Sequence, residues 1–100
     1  MLYVTVCLYG RQGVPGEFKA YEQHALDLFR RLGGEVLAAY TPQRAAASDD
    51  PPDEIQILRI ADQASLDAFV ADPARTARAA EREAVIKRTV TYQSAALVDY

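Results

Sequence analysis

The stretch Leu2-Tyr3-Val4-Thr5-Val6-Cys7-Leu8-Tyr9 alternates between two kinds of side chain. Leu2, Val4, Val6 and Leu8 make a purely aliphatic face; Tyr3, Thr5, Cys7 and Tyr9 make a semi-polar, aromatic one. Successive residues of a strand point to opposite sides, so this is a strand between two different environments. The aliphatic side suits packing against helices. The other suits a second sheet, a ligand cavity or a partly wet surface. Thr89 to Tyr100 reads in the same way, with Tyr92, Ser94, Ala96, Val98 and Tyr100 on one face.

The residues between these two stretches supply two helical segments and one more pair of strands. Gly10, Gly13, Pro15 and Gly16 break the chain after the first strand. From Glu17 to Leu32, Phe18, Tyr21, Ala25, Leu28, Phe29 and Leu32 recur at helical spacing. Glu17 near its start and Arg30 and Arg31 at its end suit the helix dipole, and Gly33-Gly34 stops it. A second strand is predicted over Glu35 to Tyr40. Thr41 to Asp53, with three prolines, reads as an exposed connection within one domain spanning residues 1–100. Glu54 to Ile60 is the third strand. Asp62 caps a short helix running to Val70; Asp72-Pro73 restarts it, and it is expected to continue to about Arg88.

Composition narrows the function classes. The net charge of −3 gives no basic footprint for nucleic acid or for an anionic membrane surface. No run approaches the roughly 20 apolar residues needed to span a bilayer. Leu2 to Tyr9 is too short and too alternating for a signal peptide. Cys7, the only cysteine, cannot form an intrachain disulfide, and it points to a reducing compartment, the cytoplasm by default. Neither a phosphate-cradling loop nor a metal-ligand pattern is present, so no cofactor and no metal are expected.

The order strand, helix, strand, strand, helix, strand is the ferredoxin-like split βαβ arrangement. Right-handed crossovers put both helices on one face of a four-stranded antiparallel sheet, an α+β fold, and leave the opposite face bare. Leu37, Ala39, Tyr3, Thr5, Cys7 and Tyr9 are candidates for that face. A bare apolar face asks for a partner, most simply a second copy related by a two-fold axis.

Phe29-Arg30-Arg31-Leu32-Gly33-Gly34-Glu35-Val36-Leu37, then Ile57-Leu58-Arg59-Ile60 leading to Leu66-Asp67-Ala68-Phe69, and Asp72-Pro73 in mid-helix, resemble the dimeric α/β-barrel superfamily. The domain-of-unknown-function family 1330 is the most similar; EthD-like proteins and antibiotic-biosynthesis monooxygenases are relatives. The resemblance covers nearly the whole chain, departs from it at Thr41 to Asp53, and rests on hydrophobic pattern rather than on a catalytic signature. It implies a homodimeric barrel of eight strands. It also implies cofactor-independent oxygenation, isomerisation or cyclisation of a small organic molecule, in a pocket between sheet and helices. The alternative is a non-catalytic ligand-binding or structural homodimer. Haem binding, also found in the superfamily, has only His24 to offer as an imidazole and is set aside.

His24, the one histidine, is the expected acid/base, since an imidazole is the side chain most often used for proton transfer. The chain holds six tyrosines and no tryptophan. Of these, Tyr3, Tyr9 and Tyr21 combine an apolar ring with a polar tip and are expected to line a pocket. Arg59 interrupts an apolar strand and could hold an anionic group bidentately. The run Arg75, Arg78, Glu81, Arg82, Glu83 reads as a solvated helix face.

Overall fold

The computed structural model describes residues 1–43 and 50–100. Its elements are β1 (Leu2–Gly10), α1 (Pro15–Arg31), β2 (Glu35–Tyr40), β3 (Glu54–Ile60), α2 (Gln63–Ala71), α3 (Pro73–Thr76), α4 (Ala79–Val85) and β4 (Ile86–Ser94). The strands form one antiparallel sheet in the order β2-β3-β1-β4. This is the expected ferredoxin-like layer, with the helices on one side and the sheet not closed. The middle of the connection between β2 and β3, residues 44–49, lies outside the described residues.

The first strand reads as its alternation requires. Leu2, Val4 and Leu8 are buried under the helices, while Tyr3, Thr5, Cys7 and Tyr9 are half-buried on the other face. Phe29 anchors the helix layer at 1 % exposure, among Leu2, Val4, Leu58, Ile60 and Leu66. Its ring meets Phe69 edge-to-face, 5.2 Å between centroids. A second cluster joins Leu8 and Tyr21 to Val85 and Ile86.

The end of α1 shows why two glycines follow it. Gly33 has φ 95°, a left-handed conformation that glycine adopts without strain. The Gly33 N–H bonds the carbonyl of Arg30 and the Gly34 N–H that of Phe29, at 3.1 and 2.9 Å. These two bonds make a Schellman cap and satisfy carbonyls the helix would otherwise leave open. Asp62 accepts from the Ser65 N–H at the start of α2, and Asp72 from the Ala74 N–H at the start of α3.

The helix read as continuous from Pro73 to about Arg88 is two, α3 and α4, and three further features differ from the reading of the sequence. The last helix ends at Val85, and β4 already begins at Ile86, paired with Gly10. The Arg11 N–H takes the Val85 carbonyl at 2.9 Å, so pairing to β1 outcompetes another helical turn. The last strand stops at Ser94, because Tyr3–Ser94 is its final pairing with β1. Beyond it Leu97, Val98 and Tyr100 are exposed. In β2 the register slips between Val36 and Ala38. Val36 pairs with Leu58 on the helix side, yet Ala38 and Tyr40 pair with Ile57 and Ile55 on the open side. Ala39, a candidate for the open face, stands opposite Gln56 on the helix side instead. An extra residue in one strand reverses the faces after it.

Candidate functional site

A cavity of about 200 Å³ lies between the sheet and the helices. Val4, Leu58, Phe29, Leu66 and Phe69 give it apolar walls. Its polar groups come from three places: Glu22 on α1, Gln56 on β3, and Arg75 and Arg82 on the chain between α2 and β4. Thr89, Thr91 and Gln93 of β4 complete its floor, because strand alternation turns them to the helix side.

Glu22 and Gln56 are its buried polar centre, at 8 % and 2 % exposure. The Gln56 side-chain amide donates to Glu22 Oε1 at 2.9 Å and to Glu54 Oε2 at 2.6 Å. One amide thus bridges two carboxylates. Burial is the main force on Glu22, and it raises the carboxyl above its ordinary value, since a charge is costly away from water. The Gln56 hydrogen bond pulls in the opposite direction, the Glu54 carboxylate adds to the rise, and Arg82 and Arg75 partly offset it. Burial likewise raises the phenol of Tyr21, against Arg75 and Arg82. Arg82 Nη2 donates to Thr89 Oγ1 at 2.8 Å. The Arg75 guanidinium lies 5.5 Å from the Phe69 ring centre and donates to the Val70 carbonyl at 3.2 Å.

The raised carboxyl has a sign that stability measurements can read. Between the ordinary carboxyl value and the raised one, the folded chain holds a proton that the unfolded chain has released. Stability therefore falls as pH rises across that window, and the loss is complete above the folded-state value. Glu22→Gln keeps an acceptor for Gln56 and removes the charge. Urea titrations at several pH values are expected to show that fall in the wild type and not in the variant. Equal slopes would mean Glu22 titrates normally.

Of the residues singled out in the sequence, only Tyr21 lines this cavity. His24 is half-buried on α1, with Nε2 shielded and without a partner among the described residues. At 100° per residue it stands about 160° around the helix from Glu22, on the opposite flank. Tyr3 and Arg59 are paired neighbours on the other face of the sheet, and Arg59 is ion-paired to Glu35 at 2.5 Å. Tyr9, also on that face, donates to the Asp50 carbonyl and carries the Arg88 guanidinium 4.0 Å above its ring. The structure does not bring these four to the cavity.

Glu22, Gln56, Arg75 and Arg82 were the residues sequence reasoning passed over. Two of them left a signal. Glu22 sits within the apolar stripe, four residues after Phe18 and four before Leu26. Gln56 shares its strand face with Leu58 and Ile60. A polar residue inside an apolar periodicity is a buried one, and a buried polar group asks for a partner. The arginine run is split by the fold: Arg78 pairs with Glu81 at the surface, while Arg75 and Arg82 turn to the cavity.

Solved structures with this architecture include a protein of unknown function from Rhodopseudomonas palustris, 18 % identical, covering 98 % of this chain and 83 % of that one, TM-score 0.82. A putative antibiotic biosynthesis monooxygenase from Nitrosomonas europaea is 11 % identical, covering 98 % of this chain and 100 % of that one, TM-score 0.72. An uncharacterised NIPSNAP domain protein from Burkholderia xenovorans is 16 % identical, covering 99 % and 100 %, TM-score 0.67. These likenesses show a shared fold. No curated protein matches the chain. No helix among the described residues is long and apolar enough to cross a membrane. The family model described as "Domain of unknown function (DUF1330)" matches residues 13–95, and the chain belongs to that family.

Proposed function

We propose that this protein is a cofactor-independent enzyme that moves a proton on a small organic molecule, with Glu22 as the proton carrier, and that it works as a homodimer in the cytoplasm. The observation that carries the reading is the buried Glu22 carboxyl, held by Gln56 in the wall of an apolar cavity. Burial raises that carboxyl above its ordinary value, which makes its carboxylate a stronger base toward a C–H proton. An acidic C–H of the substrate gives its proton to the Glu22 carboxylate, and the electron pair stays on the substrate as an enolate. Glu22 then returns the proton to another position, or to the same one.

Hydrogen exchange tests the reading without knowledge of the natural substrate. Small ketones and β-keto esters are incubated with the protein in D₂O, and loss of the acidic C–H signal is followed by NMR. The wild type is expected to accelerate exchange over buffer, Glu22→Gln to lose about a hundredfold of that acceleration, and His24→Gln to keep it. Loss with His24→Gln alone would return the role to His24. Binding without any acceleration would favour the non-catalytic alternative.

The dimer reading rests on the open face of the sheet. Tyr3, Thr5, Cys7, Ile55, Ile57 and Val90 are half-buried there, with Tyr40 and Tyr92 exposed. At about 4.8 Å between strands and 3.4 Å per residue, four strands of about seven residues present roughly 450 Å² in projection. That face is broken by the Arg59–Glu35 pair, and its extent falls in the range where a protein's largest surface patch is often an interaction site.

A further inference from the structure

The guanidinium groups among the described residues differ in their partners. Arg30, Arg59, Arg78 and Arg88 each have a carboxylate within hydrogen-bonding reach. Arg11, Arg31, Arg75 and Arg82 have none among the described residues, and three of these, Arg11, Arg75 and Arg82, line one open groove, together with Lys87. Glu83 is the one carboxylate among the described residues lining that groove, and Arg11 reaches its backbone carbonyl, at 2.6 Å. A chain of net charge −3 has thus gathered a local excess of cations at one place. Arg75 and Arg82 line both this groove and the inner cavity, so they stand where the two meet.

Elsewhere among the described residues, four of the five arginines have a carboxylate partner, and the fifth, Arg31, stands exposed in water. Leaving two arginines unpaired at a cavity mouth fits a ligand that brings the negative charge itself, since a guanidinium presents a planar fork of donors to a carboxylate. Size sets the rest of the ligand. An apolar cavity of about 150 Å³ accepts benzene, so about 200 Å³ holds a body of one substituted ring or a short branched chain.

We infer that the cavity takes a small organic acid, its carboxylate held at the mouth by Arg75 and Arg82 and its apolar body turned inward toward Phe29 and Leu66. Arg11 and Lys87, further out, draw the anion in by long-range attraction. This rests on the proposed use of the cavity and adds the substrate class.

Phenylacetate, its neutral isostere phenylacetamide, and inorganic phosphate serve as probes, with binding followed by isothermal calorimetry and protein NMR at millimolar concentration. Phenylacetate is expected to bind at least about tenfold more tightly than the amide, and phosphate, lacking the body, more weakly than phenylacetate. Added salt should weaken phenylacetate binding and leave the amide unchanged. Arg75→Gln and Arg82→Gln should each bring the acid down toward the amide. The salt arm needs no variant, so a folding defect in either leaves the inference open to refutation. Acid and amide binding alike, or phenylacetate unaffected by both variants, would overturn it. Ala25 lines the cavity, so Ala25→Phe separates the two readings. If acid and amide bind equally and both are lost in Ala25→Phe, the cavity stands and the anion preference falls. If phenylacetate survives Ala25→Phe, or no acid binds, the substrate class is overturned, while deuterium exchange still judges Glu22 independently.

Discussion

Replacing Phe29 by alanine is expected to cost about 3–5 kcal/mol of folding stability, the largest single loss available in the helix layer. The ring is 1 % exposed and meets both halves of the fold: β1 and β3 through Leu2, Val4, Leu58 and Ile60, and α2 through Leu66 and Phe69. Its removal takes away the transfer energy of an aromatic side chain and leaves a void that opens into the existing cavity. A domain of this size has only about 5–15 kcal/mol in total, so the variant should sit near the edge of folding. Gly34 supplies an internal check. A β-carbon there would run into the Phe29 ring, which must then shift out of its packing among Leu2, Leu58 and Ile60 toward the cavity it lines. Gly34→Ala should therefore cost about 1–3 kcal/mol by overpacking. In the double variant the ring is gone, so the added methyl group has room. The double loss should be clearly smaller than the sum of the single losses. Urea or guanidinium midpoints for the four proteins measure this, and additive costs would show that the helix end and the ring do not press on one another.

Replacing Ile57 by glutamate on the open face is expected to abolish the proposed dimer while leaving the chain folded. Ile57 is half-buried near the middle of the sheet, paired to Thr5 on one side and Ala38 on the other. In a two-fold dimer it would be enclosed twice. An uncompensated buried charge costs about 3–5 kcal/mol, and the symmetric assembly carries two, so dissociation should strengthen by a thousandfold or more. The helix-side core is untouched, and cooperative melting should persist. Sedimentation reads the result directly: the wild type at twice 11.0 kDa, the variant at 11.0 kDa. A wild type that sediments as a single chain at micromolar concentration would dispose of the dimer. A variant that stays dimeric would place the interface elsewhere.

These predictions draw on two kinds of information with different origins. The role of Phe29 was legible in the chain, because its place in the α1 stripe and the Gly33-Gly34 stop follow from neighbours three to five residues away. So were the two faces of β1, since alternation is a property of consecutive residues. Ile57 could not be assigned to the open face that way. Its neighbours across the sheet depend on pairing, and the bulge after Val36 changes which residues of β2 it meets.

The candidate site was less legible for the same reason. Glu22 and Gln56 are 34 positions apart and share a hydrogen bond only because α1 crosses over β3. His24, chemically the more obvious choice, is two residues from Glu22, and that small step carries it to the far flank of the helix. Arg75 and Arg82 read as solvated in a run of charges, and the break between α3 and α4 brings them to the cavity while Arg78 stays outside. The amino-acid sequence by itself determined the kinds of element, their order and the aliphatic underside of the first strand. These follow from periodicities of two and of 3.6 residues that short-range sterics enforce. The tertiary structure alone decided which polar groups share the cavity, where β2 changes face and where β4 begins. Each of those depends on partners distant in the chain, and no local pattern encodes their meeting.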